Sequence, residues 1–246
     1  MKTSKDSKIF VLWFQGEHNA PPLVKMCINS IRRNSNGHEV IVLDRNNLDK
    51  WVNYDPEVKE KFKNKTFSMQ LESDYIRLNI LKHHAALWLD STIFVTKPIP
   101  DSVFESDFFA VIRKEAEKRD ITNKISPFLL GRGKSNKGKK VFSFAFDLME
   151  SYIKNEDDLI NYLLIENILN IAIENEPWLS SLINQKLFKN KQDILGLVKL
   201  LNEPMTNKVE YFLDNNLFNK LNFHQNYNTL TANGDQTVYS YLINAK

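Results

Sequence analysis

Residues 9–44 read IFVLWFQGEHNAPPLVKMCINSIRRNSNGHEVIVLD. The opening IFVLWF is apolar without a break, as in a strand covered on both faces of a sheet. Pro21 and Pro22 open a helical pattern that runs to about Asn34, with Val24, Ile28 and Ile31 at helical spacing and Gly37 just past its end. Proline suits the first helical turn, because its missing N–H would have no partner there. Glu39 to Leu43 is again β-like and ends at Asp44. A strand, a helix and a strand in so short a stretch predict a right-handed parallel βαβ unit.

Downstream, Ser68 precedes a strong helix in which Leu71, Tyr75, Leu78 and Leu81 share one face. Asp74 and Arg77 are three apart and therefore neighbours on another face. Ala86 to Leu89 predicts a third strand, ending at Asp90, and Ile93 to Thr96 and Phe108 to Ile112 predict two short ones. Trp13 and Trp88 fall in strands and are expected in the core. Beyond residue 112 the pattern fades until about residue 140, and no strand is expected there. Val141 to Tyr152, Asp157 to Ile173 and Pro177 to Phe188 then carry helical spacing. The acidic run Glu156-Asp157-Asp158 is expected at a helix N-terminus, where the helix dipole favours negative charge. The organisation expected is an α/β half over residues 1–112 and a mainly helical half over residues 113–246, packed as one continuous domain.

Composition narrows the functions. A chain of 246 residues buries enough surface to fold without a staple. A net charge of +3 does not argue for nucleic-acid binding. Cys27 is the only cysteine, which excludes an intrachain disulfide and a cysteine zinc site and suits a reducing cytoplasm. His18, His38, His83, His84 and His224 show no zinc spacing. No run approaches the roughly 18 to 20 apolar residues of a membrane span. Gly133 to Lys140 is one residue short of a phosphate-binding loop, since Lys140 stands where a Ser or Thr would hold magnesium.

Three features carry chemistry. In LWLDST (87–92) an apolar strand delivers the Asp90 carboxylate at its C-terminal end, where open α/β sheets bind ligands. Asp90 could hold a divalent cation, with Thr92 or water completing the shell, and it suits a turn cap equally well. The Asp74–Arg77 pair could accept from hydroxyls and donate to phosphate beside the same cleft, or be a local salt bridge. Gln15-Gly16-Glu17 could let backbone approach a ligand, or be an ordinary turn.

Together these features resemble the bacterial capsular polysaccharide synthesis proteins, a glycosyltransferase family with a DxD-type sugar-binding signature. The blocks that carry the resemblance are WFQGEHNAPPLVKMCINSIRRN (13–34), EVIVLDRNNL (39–48), SDYIRLNILKHHAALWLDSTIFVTKP (73–98) and, loosely, NYLLIENIL (161–169). The third block follows the family pattern S-D-x-x-R-x-x-x-L-x-x-x-G-G-x-W-x-D-x-T through Ser73, Asp74, Arg77, Leu81, Trp88, Asp90 and Thr92. It departs where the usual Gly-Gly is Ala85-Ala86, and where D-x-D becomes Asp90-Ser91-Thr92.

The resemblance implies a GT-A type fold, a Rossmann-like nucleotide-sugar-binding core with a helical C-terminal region. It implies a nucleotide-sugar-dependent transferase of hexosyltransferase type that extends a capsular or exopolysaccharide acceptor. Asp90 and Arg77 are then the expected catalytic residues, and Gln15, Gly16, Asp74, Arg77 and Thr92 the donor-binding ones. Asp90 would hold Mn2+ or Mg2+, although the D-x-T form leaves one carboxylate where DxD enzymes have two. Glu166, His224 and Lys134 are candidates for the acceptor or diphosphate. Arg132, Lys134, Lys137, Lys139 and Lys140, with no acid among them, read as a poorly ordered basic loop that would touch a lipid-diphosphate-linked acceptor or the anionic inner face of the cell membrane. The alternative function is a catalytically inactive relative that binds sugar or scaffolds capsule assembly.

Overall fold

The computed structural model describes residues 5–112, 125–184 and 193–244. Strand β1 (Lys5–Leu12), helix α1 (Pro22–Arg33) and strand β2 (His38–Leu43) form the expected parallel unit, with Ile9 opposite Val40 and Val11 opposite Val42. Strand β3 (Ala86–Leu89) lies on the other side of β1, also parallel, with Phe10 opposite Trp88. The chain therefore leaves β1 to one side and returns on the other, which makes a topological switch point between β1 and β3.

The sheet order is β2-β1-β3-β6-β5, with β6 (Ile125–Arg132) antiparallel to both β3 and the edge strand β5 (Phe109–Ile112). The stretch after residue 112, expected to hold no strand, thus contributes β6 to the middle of the sheet. Pro127 interrupts its apolar run, and its partner β3 is supplied from far along the chain. A two-stranded ribbon pairs β4 (Ile93–Val95) with β7 (Phe218–Lys220).

The apolar runs are continuous because the sheet is covered on both faces. Phe10, Leu12 and Trp88 pack with α3 (Met69–His83), α5 (Asn136–Asn155) and α6 (Leu164–Glu174). Ile9, Val11, Leu87 and Leu89 pack on the other face with Val24, Ile28 and Ile31 of α1. Each such side chain contributes about 1.5 to 3 kcal/mol when fully buried. A third cluster joins Leu23, Met26 and Cys27 of α1 to Val209 of α8 (Asn207–Asn215) and to Val238 and Leu242 of α9 (Val238–Asn244). The short helices α2 (Pro56–Lys63), α4 (Asp101–Glu105) and α7 (Pro177–Asn184) complete the described α-helices. The expected extension of α7 to Phe188 lies outside the described residues.

Local capping explains the starts of the key helices. Ser68 Oγ accepts from the Leu71 amide at 3.3 Å to begin α3. Asp55 caps α2 in the same way, and Ser135 caps α5. Between α3 and β3 the chain needs no left-handed residue: among the described residues, the non-glycine residues at positive φ are Asn36 and Lys65. Ala85-Ala86 therefore serves where the family pattern has two glycines.

Two expectations are corrected here. Glu156-Asp157-Asp158 is not at a helix N-terminus: Glu156 ends α5 as its C-cap, and α6 begins only at Leu164. The basic stretch is not a poorly ordered loop, because Arg132 ends β6 and Asn136 to Lys140 form the first turns of α5. Arg132 is buried and donates to the carbonyls of Leu81, Lys82 and Gly133. Gly133 and Gly138 serve close packing, as a Cβ there would meet the carbonyl oxygens of Glu105 and Asp107.

Candidate active site

A cleft of about 840 Å³ opens at the carboxyl ends of β1 and β3, at the switch point. Its floor comes from Trp13, Phe14 and Gln15 after β1 and from Asp90, Ser91 and Thr92 after β3. Helix α3 adds Ser73, Asp74 and Arg77, α6 adds Glu166, and the chain after β7 adds Asn222 to Gln225.

Asp90 is set by the sheet. Its amide donates to the Phe128 carbonyl of β6 at 2.9 Å, and its own carbonyl accepts from Ile93 at 2.9 Å, closing the turn into β4. Its Oδ1 accepts from Arg77 Nη2 at 3.0 Å and from the Trp88 indole at 3.1 Å. Arg77 also reaches Asp74 Oδ1 at 3.1 Å through Nη1. The guanidinium thus joins two carboxylates, one from its own helix and one from the strand end, and lies 5.3 Å from the Trp88 ring centroid. Asp74 and Arg77 are 7% and 6% exposed, whereas Asp90 is 25% exposed and faces the cleft. Burial pushes the Asp74 carboxyl up to about 6; Arg77 opposes this, and the charges of Asp90 and Glu166 reinforce it.

Lys220, at the end of β7, completes the cluster. Its Nζ donates to Thr92 Oγ1 and stands 3.4 Å from Asp90 Oδ2. Nothing in the local sequence marks this lysine. Only the pairing of β7 with β4, which sets Lys220 opposite Ile93, carries it to the D-x-T turn.

The expected site residues divide accordingly. Gln15, Asp74, Arg77, Asp90, Thr92, Glu166 and His224 all line the cleft. Glu166 is buried, and the exposed His224 ring lies 3.9 Å from that of Phe223. Gly16 does not line it; with φ at +82° it forms the turn beneath, and a Cβ there would lie 3.3 Å from Asp44 Oδ2. Lys134 is not brought to the site. Strand β6 runs antiparallel to β3, so Arg132 lies opposite Ala86 and the residues after it emerge at the far end of the sheet, where Lys134 pairs with Asp6. Trp13, expected in the core, is half-buried in the cleft wall with its ring 5.2 Å from Phe223, whereas Trp88 is in the core.

Asp90 and Thr92, the two residues expected to hold a divalent cation, are both engaged by protein side chains. Among the described residues no group of three or more His, Cys, Asp or Glu side chains is gathered to hold a metal. Both Asp90 oxygens and the Thr92 hydroxyl already face protein cations or donors.

The chain is similar to several solved structures. The PaToxG glycosyltransferase structure is 16% identical with a TM-score of 0.45, over 85% of this chain and 83% of that one. Two structures of the glycosyltransferase GlyE from Streptococcus pneumoniae TIGR4 are also similar. One is 13% identical with a TM-score of 0.38, over 75% of this chain and 51% of that one. The apo form is 11% identical with a TM-score of 0.43, over 98% of this chain and 63% of that one. Among curated proteins no match is found. The family model described as "Capsular polysaccharide synthesis protein" matches residues 1–242, and this chain belongs to that family.

Proposed function

We propose that this protein is a nucleotide-sugar-dependent glycosyltransferase that transfers a sugar to a capsular glycan acceptor. The observation that carries the reading is the Asp74–Arg77–Asp90 network, set with Lys220 in a cleft at the switch point of the sheet. Transfer needs a nucleoside diphosphate held as it departs and an acceptor hydroxyl held against the anomeric carbon. Arg77 and Lys220 supply fixed positive charge for the first task. Gln15 and the half-buried Trp13 line the end of the cleft nearest β1, where the nucleoside would lie. Glu166 and the exposed Met69 and Tyr162 line the acceptor side. The acceptor is a glycan, free or carried on a lipid diphosphate, and no helix among the described residues is long and apolar enough to cross a membrane.

The test is donor hydrolysis across a panel of nucleotide-sugars, with Asp90→Asn beside the wild type. Turnover of at least one donor that vanishes in Asp90→Asn, with the thermal unfolding profile retained, supports the transferase. Wild-type turnover in the variant would remove Asp90 from the site. A wild-type protein that binds sugars but turns over no donor would favour the inactive sugar-binding relative.

A further inference from the structure

We propose that Lys220 takes the place of a divalent cation at the D-x-T turn, so that the donor diphosphate is held without a metal. The inference rests on the glycosyltransferase reading above and assigns a cation to its leaving group. Asp90 and Thr92 are the two residues of the turn that would be expected to ligate a metal, and both are engaged by one ammonium. A divalent ion on Asp90 Oδ2 would place a second cation on an oxygen already shared with Lys220, and the two would repel.

The lysine is held in place. Its backbone amide donates to the Ile194 carbonyl at 2.7 Å, and the Leu221 amide donates to the Thr92 carbonyl at 2.9 Å, which locks β7 to the turn. Its Nζ lies 5.6 Å from the Phe128 ring centroid. The side chain is 24% exposed and lines the cleft, so it is open to a ligand. An ammonium has three donors; Thr92 and Asp90 engage two, which leaves one for a phosphate oxygen.

Asp74, Asp90 and Glu166 face Arg77, Lys199 and Lys220 across the cleft, with His224 at the rim, so the acids and the cations balance. Lys220 is the cation placed at the D-x-T turn itself. In the transfer step the bond between the anomeric carbon and the diphosphate oxygen breaks, and its electron pair leaves with the nucleoside diphosphate. The acceptor hydroxyl oxygen forms the new bond and its proton is released to solvent. Lys220 remains an ammonium throughout and offsets the charge that develops on the leaving oxygen.

The experiment is calorimetric titration of the full chain with UDP, GDP, CDP, dTDP and ADP, once in EDTA and once in Mn2+. The expected result is that one of them binds with affinities within about threefold in the two buffers. Lys220→Met should weaken that binding about tenfold or more in EDTA. Lys220→Cys alkylated with 2-bromoethylamine, which rebuilds an ammonium at the same reach, should regain it. Cys27 is fully buried, so the wild type treated alike should be unchanged. Wild-type affinity that falls about tenfold or more in EDTA would overturn the proposal, whether or not the variants fold. Lys220→Met binding like the wild type would overturn it as well. If no nucleotide binds in either buffer, the glycosyltransferase reading itself falls, and the role of Lys220 with it.

Discussion

Arg77 Nη2 donates to Asp90 Oδ1 at 3.0 Å, which ties the middle of a buried helix to the turn at a strand end. The same guanidinium reaches Asp74 at 3.1 Å. A planar fork can face two carboxylates at once, whereas a lysine presents one point charge on a flexible stem. Arg77→Lys is therefore expected to lower kcat/KM about 30-fold, about 2 kcal/mol of transition-state stabilisation. Steady-state kinetics with the donor that the wild type turns over best checks this. A silent substitution would reduce the pair to a contribution to folding.

Asp74 makes stability depend on pH. Its carboxyl titrates at about 6 in the fold against an ordinary 3.8. The folded state thus binds more protons than the unfolded state between these values, so stability falls as pH rises through that window. Below it both states are protonated and the group costs nothing. Above it the cost is complete, at about 3 kcal/mol. Asp74→Asn lacks a titrating carboxyl and should gain on the wild type by about this amount between pH 4 and about 7. Urea unfolding of both proteins across that range measures the difference; parallel curves would contradict it. The same variant should lose donor binding, since the amide cannot balance Arg77.

Gly138 lies inside α5, where alanine would ordinarily gain about 1 kcal/mol from helix propensity. Here a Cβ would stand 1.9 Å from the Asp107 carbonyl oxygen, a backbone atom that cannot rotate away. Gly138→Ala should therefore destabilise by about 3 kcal/mol, as the helix shifts from the turn before β5. Urea unfolding that shows a gain instead would mean that this helix start is not packed as described.

The sequence by itself determined the βαβ unit, the capped helix α3, the third strand ending at Asp90 and the neighbouring Asp74 and Arg77. These were legible because hydrophobic period, proline position and Ser capping are local signals, and because residues three apart on a helix must be neighbours. Only the tertiary structure decided what surrounds Asp90. Strand β6 has no period of its own and acquires its place from β3 and β5; it carries Lys134 away from the cleft that a linear reading gave it. Lys220 stands in an unremarkable stretch, yet the β4–β7 pairing sets its ammonium on Asp90 and Thr92. Local propensity reports on neighbours along the chain, whereas a site at a switch point is assembled by strand pairing between segments whose sequences carry no mark of each other.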